Sequence, residues 1–175
     1  ANLLKIALQY CQSFEGMVIS HPINNELAGK GVMHEGITST RIGLKGIPSM
    51  AESVQIARDL EILKYSGGKL HIPNISTEAG LDLIRKAKKQ GLKISCSVGL
   101  PHLIFDDTKL ESFDPNFKVF PPIRSKADQQ ALRAGLLEGT IDMISSMHEP
   151  MNIEFKKLEF ENAAAGSLGL ESCFG

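Results

Sequence analysis

Apolar positions in this chain follow two alternating periods, and together they lay out a repeating strand–helix order. From Asn2 to Phe14, Leu3, Ala7, Tyr10, Cys11 and Phe14 recur at helical spacing and mark an amphipathic helix. Met17 to Ser20 is a short apolar strand that ends at His21. Glu26 to Gly46 is rich in glycine, lacks a strong period and reads as mostly irregular structure. Ser49 followed by Glu52 fits a capping box, in which hydroxyl and carboxylate each satisfy a free backbone N–H. The helix after it should bury Val54, Ile56, Ala57, Leu60 and Leu63 and stop at Gly67-Gly68.

The order then repeats. Lys69 to Pro73 is a second strand, and Ser76 or Thr77 caps a helix with Leu81, Leu83, Ile84 and Ala87 inward, stopped at Gly91. Lys93 to Val98 is a third strand, with Ile94, Cys96 and Val98 on one face and Ser95 and Ser97 on the other. Ser125 with Asp128 caps another helix that stops at Gly139, and Ile141 to Ser146 is a fourth strand. Short apolar strands alternating with helices favour a parallel α/β sheet. Periodicity does not separate a doubly wound sheet from part of a (β/α)8 barrel.

Composition narrows the class. The chain has 175 residues, a formal net charge of −1 and 42% hydrophobic residues, which suits one domain with a real core. No apolar run approaches the ~20 residues of a membrane span, and no signal peptide opens the chain. Without a basic run there is no electrostatic footprint for nucleic acid. Cys11, Cys96 and Cys173 are scattered and form no CxxC, so they read as reduced thiols of a cytoplasmic protein. The glycines between Gly29 and Gly46 lack the spacing of a phosphate-binding loop, which leaves a plain α/β binding domain as the blandest alternative.

The most informative stretch runs from Asp114 to Met151: DPNFKVFPPIRSKADQQALRAGLLEGTIDMISSMHEPM. It resembles the C-terminal part of dihydroorotases, zinc-dependent amidohydrolases that close carbamoyl aspartate to dihydroorotate in pyrimidine synthesis. The resemblance extends to MHEG at Met33, GIPSMAESVQIARD from Gly46, KLHIPNIST from Lys69 and the GSLGLES tail. It implies a TIM-like (β/α)8 barrel, of which residues 1–175 form one partial domain carrying strands five to eight. Either the chain is part of a longer protein or the protein is a half barrel.

The resemblance also implies a site at the C-terminal strand ends, where zinc polarises a carbonyl and acidifies water. The family's HxH pair does not occur among these five histidines. His21 stands at a family metal-ligand position. The next ligand position is Asn74, and an amide is a poor zinc donor. His71, three residues earlier, is set aside because strand alternation places it on the opposite face. The aspartate that binds metal and shuttles the proton is Met147, so no catalytic residue stands intact. In the substrate pocket, Phe120 replaces an asparagine, Met151 a histidine, and Ala165-Gly166 a Phe-Gly pair, while His148 is kept. Glu149 is a weak substitute carboxylate, His102 survives from a mobile-loop histidine pair, and Arg124 reads as structural.

Intact caps and cores beside lost ligands imply a protein of pyrimidine biosynthesis that is catalytically inactive and kept for assembly. No zinc is expected on this chain alone. The implied partner is aspartate transcarbamoylase, because non-catalytic dihydroorotase homologues support that enzyme. An active zinc-dependent dihydroorotase, or another cyclic-amide hydrolase, in full-length form is the alternative. If these residues are the folded unit, four strands with open edges also predict a homodimer. Neither nucleic acid nor membrane is an expected partner.

Overall fold

A computed structural model of the chain describes residues 1–173. Four strands form one parallel sheet: β1 (Met17–Ile19), β4 (Lys69–Ile75), β5 (Ile94–Gly99) and β6 (Met143–Ser145), side by side in that order. Between the first two lies a small parallel pair, β2 (Met33–His34) and β3 (Gly46–Ile47). Every main-sheet pairing is parallel, so each strand returns through a helix to start at the same end. All four C-terminal ends therefore open on one side.

The returning helices coat one face. Helices α1 (Asn2–Cys11), α4 (Met50–Ser66), α5 (Glu78–Lys89) and α7 (Lys126–Leu137) pack on it. Leu8, Ile56, Leu63, Leu81 and Ile84 of the helices meet Leu70, Ile72, Cys96 and Val98 of the strands in one core. Several of these side chains have no exposed surface, each worth about 1.5–3 kcal/mol relative to exposure. The opposite face carries Met17 and Ile19, His71, and then Ser95 and Ser97. Met17 and Ile19 are 53% and 68% exposed there.

Caps are local and mostly those expected. The Thr77 side chain accepts from the N–H of Gly80, and Ser125 accepts from Asp128. Helix α4 ends at Gly67, and α7 gives way at Gly139.

Several expectations fail for identifiable reasons. In α1 it is Leu8, with Leu4 beside it, that meets the core, whereas Leu3, Tyr10 and Phe14 face solvent. The helix carries two apolar stripes, and only packing decides between them. Val54 of α4 is 44% exposed instead of buried. The Gly-rich connection is more regular than its sequence suggests, holding α2 (Asn25–Ala28), β2, α3 (Ile37–Ile42) and β3. These elements are only two to six residues long, too short for a period to show. Ser49 and Glu52 form no capping box. Ser49 has helical backbone angles and no side-chain cap bond, and Glu52 turns into the interior with no exposed surface.

Candidate functional site

The strand ends are pinned before they present any chemistry. At β1, the Ser20 hydroxyl donates to the fully buried Asp59 carboxylate at 2.6 Å, and Ser20 N–H donates to His71 O. At β4, the Glu52 carboxylate accepts from the N–H groups of Ser76 (3.0 Å) and Thr77 (2.9 Å). The hydroxyls of both residues donate to it as well. Arg124, 2% exposed, donates from Nε to Ser76 Oγ at 3.1 Å and from Nη1 to Ile47 O at 2.7 Å. A Ser76 hydroxyl thus links a buried carboxylate to a buried guanidinium, and β3, β4 and the loop before α7 are tied together. Arg124 thus has a structural role, with a hydroxyl and the β3 backbone carbonyl of Ile47 as its acceptors.

His21 follows directly on that frame. Its ring lies flat on Phe120, with centroids 5.8 Å apart and planes 4° from parallel. Burial holds the imidazole below its ordinary pKa, against a smaller upward pull from Glu52. The residue as a whole stays exposed, and the two parallel rings are offset, so Phe120 shields the imidazole only in part.

Asn74 sits in an irregularity of β4, where the pairing with β5 slips between Ile72 and Ile75. Its φ is +51°, a left-handed conformation that asparagine tolerates. Its N–H donates to Ser97 Oγ at 3.1 Å, while its Oδ1 is buried and finds no partner. Through the slip the Asn74 backbone, though not its side chain, comes to the serine that His71 also approaches. The His71 ring reaches the same Ser97 hydroxyl (3.4 Å), and Ser95 Oγ at 2.9 Å.

Met147 lies beyond β6, with its thioether over Gly99 at the end of β5. A Cβ at Gly99 would collide with Met147 Sδ and come within 2.8 Å of His102 Nδ1, so the close approach requires glycine. His102 is 2% exposed, and Nε2 meets Pro121 O at 3.0 Å. Burial is the main cause that lowers its pKa to about 4. Met147 itself has φ +49°. A long unbranched side chain is uncommon there, whereas Asp and Asn are enriched.

The remaining positions belong to the tail. His148 Nδ1 accepts from Leu170 N–H at 3.3 Å, and His148 bridges Ser167. Met151 and Glu149 pack at Gly166, whose N–H donates to Lys118 O. Ala165 precedes it, partly exposed. Two lysines hold this tail to the 115–118 loop. Lys118 donates to Phe160 O and Glu161 O, and Lys156 to Pro115 O and Gly166 O. Burial lowers the pKa of both. A cavity of about 400 Å³ lies between α6 (Leu100–Ile104), the loop near Phe117 and the tail near Leu168. No titratable side chain lines it.

Strand order therefore sets His21, Asn74, Gly99 and Met147 at successive C-terminal ends, with Phe120 laid on the first. As a donor set this does not fit zinc. It offers one half-covered imidazole, an amide and a thioether where imidazole and carboxylate are needed. Among the described residues, no three His, Cys, Asp or Glu side chains are grouped to hold a metal ion. Sequence reasoning missed the inward turn of Glu52, and its capping-box spacing actively misled. The hydroxyl pair Ser76-Thr77 was the available signal for a buried acceptor.

Comparison with known proteins gives a consistent answer. Residues 3–80 match the family model described as dihydro-orotase-like. A dihydroorotase of Carboxydothermus hydrogenoformans is 44% identical over 168 residues, covering 96% of this chain and 39% of the relative. One from Ruminiclostridium cellulolyticum is 42% identical over 174 residues, covering 99% and 41%. The chain thus spans about two-fifths of the length of the curated relatives it matches. Among solved structures, it is similar to the L-hydantoinase (dihydropyrimidinase) of Arthrobacter aurescens, with TM-score 0.84 and 24% identity. That match covers 98% of this chain and 39% of the hydantoinase. The D-hydantoinase of a Thermus species gives 0.80 and 23%, covering 97% and 39%. These neighbours are (β/α)8-barrel amidohydrolases, and the parallel sheet corresponds to part of such a barrel. No described helix is long and apolar enough to cross a membrane.

Proposed function

Because this chain belongs to the dihydroorotase family and corresponds to the C-terminal part of its barrel, we propose that it serves pyrimidine biosynthesis as an assembly domain, its own metal-dependent chemistry lost. The observation that carries this reading is the replacement of the donor set. The Phe120 ring stacks beside His21, and Met147, whose thioether lies over Gly99, stands where the resemblance to the family leads one to expect the proton-shuttling carboxylate. Dihydroorotases and hydantoinases are metal-dependent in general. A thioether neither takes up the proton nor binds a hard cation. The left-handed backbone at Met147 supports the same reading, since it suits the residue type that is missing.

The frame around the site is intact in this chain, with Glu52, Ser76, Thr77 and the Nε and Nη1 of Arg124 bonded. That retention is what selection for assembly without chemistry would leave. The partner that fits is aspartate transcarbamoylase. Where these residues are themselves the folded unit, copies of the chain pair with each other through the edges of β1 and β6, which no strand of this chain covers. Two measurements test the reading. The full-length protein, supplied with zinc, shows no dihydroorotate turnover, and ordinary turnover sinks the proposal. Sedimentation with the cognate transcarbamoylase at micromolar concentration yields a complex, and separate boundaries remove the partner.

One observation favours a second reading, an active zinc-dependent dihydroorotase or other cyclic-amide hydrolase in the full-length protein. His21 is kept, and its neutral ring is the form a metal binds. Met147→Asp with Asn74→His separates the two. A gain of turnover from zero supports the lost-activity reading, and activity already present before substitution supports the enzyme.

A further inference from the structure

Where α6 begins, a buried lone pair is left facing a sulfur. His102 is 2% exposed, and its Nε2 lies 3.0 Å from Pro121 O. A carbonyl oxygen only accepts, so Nε2 carries the ring proton and Nδ1 keeps a bare lone pair. The other tautomer would set the Nε2 lone pair against Pro121 O. Nδ1 is buried and makes no hydrogen bond, which is costly for an acceptor. Burial lowers the pKa of the ring to about 4, so no proton fills the lone pair at pH 7.

The atom that meets it is Met147 Sδ. A Cβ on Gly99 would overlap the sulfur and come within 2.8 Å of Nδ1, so the two atoms converge on one small space at the end of β5. The Gly99 carbonyl also lies near the ring. Neither the thioether nor Nδ1 has a proton to share, so no hydrogen bond can close the gap. A cation can.

From this geometry we infer that His102 Nδ1 and Met147 Sδ form a binding site for one soft monovalent metal ion, of which Cu(I) is the biological case. Thioethers select Cu(I), and neutral imidazole suits copper, whereas hard divalent ions take oxygen donors. Two bonds of roughly 2.0–2.3 Å, the lengths metal–nitrogen and metal–sulfur contacts take at zinc, bridge donors that converge this closely. Both donors, and the Pro121 carbonyl that orients the ring, belong to this chain, so the pair is complete without the rest of the barrel. It sits at the C-terminal strand ends, where such barrels open to solvent, and an ion reaches it from that mouth. Neither His21 nor Asn74 takes part, so the site stands or falls separately from the assembly reading.

The test strips the full-length protein with chelator and alkylates its accessible thiols, so that cysteines do not compete. Cu(I) is then titrated in without oxygen against a chromophoric Cu(I) chelator. One ion on this pair is expected, with the His102 Nδ1 resonance shifting in nitrogen NMR as it binds. Removing even an outer partner of a metal ligand costs about 10–100-fold in affinity. Met147→Leu, which keeps the volume and removes the sulfur, should therefore weaken binding by about 10²-fold or more. Gly99→Ala, which fills the space between the donors, should abolish it. No Cu(I) retained, an unmoved His102 resonance, or equal affinity in Met147→Leu overturns the inference.

Discussion

Replacing Glu52 by alanine removes the acceptor on which the end of β4 depends. The wild-type carboxylate has no exposed surface and accepts from two backbone N–H groups and two hydroxyls. Each bond to a charged acceptor contributes about 1.5–3 kcal/mol, and a buried donor left unpaired costs about 1–3 kcal/mol. The hydroxyls can rotate away, but the Ser76 and Thr77 N–H groups are fixed by the chain. Arg124 is also left without its negative neighbour, and breaking a buried charge arrangement costs about 3–5 kcal/mol. These contributions overlap, so about 3–5 kcal/mol is the expected loss, a large share of the roughly 5–15 kcal/mol that holds a domain folded. Glu52→Gln keeps the shape and one acceptor oxygen and should lose less. Urea unfolding of the full-length protein reads the difference as a fall in midpoint at constant slope. Adding Arg124→Met to Glu52→Ala should cost at least about 1 kcal/mol less than the two changes summed. If Glu52→Ala stays within about 0.5 kcal/mol of wild type, the network does not hold the strand ends.

Three further outcomes are expected. His102 titrates at about 4 in the fold against 6.5 in the open chain, so the unfolded state takes up its proton first as pH falls. Its contribution is complete above pH 6.5 and is lost progressively towards pH 4. It amounts to about 3 kcal/mol at 1.36 kcal/mol per unit, and His102→Gln should flatten that part of a stability–pH curve. Phe120→Ala uncovers His21, whose pKa should rise towards its ordinary value in an NMR titration; an unmoved resonance means that the stack does not bury the ring. Gly99→Ala forces Met147 and His102 apart and should cost about 1–3 kcal/mol, partly recovered when Met147→Ala is added.

Much of the fold was legible because it rests on local rules. Strand and helix periods located all four sheet strands and the three long helices, and Thr77 and Ser125 cap as their side chains suggest. What could not be read depends on contacts distant in sequence. Glu52 sits three residues after a serine, as a capping residue would, yet its partners lie 24 and 25 residues further on. Likewise, α1 offers two apolar stripes, and packing against α4 and β1 decides which is buried. The altered site was visible as substitutions at Asn74, Phe120 and Met147 within otherwise familiar blocks. Its geometry was not visible, because strict alternation gives no sign of the slip in β4 that brings His71 and Asn74 to one serine.

The zinc content of the full-length protein, purified with zinc supplied and read by elemental mass spectrometry, tests the central claim most directly. A site with His21 beside a phenyl ring, an amide at Asn74 and a thioether at Met147 should retain no zinc above background. About one or two tightly held ions per chain, the complement of a catalytic zinc centre, would contradict the account.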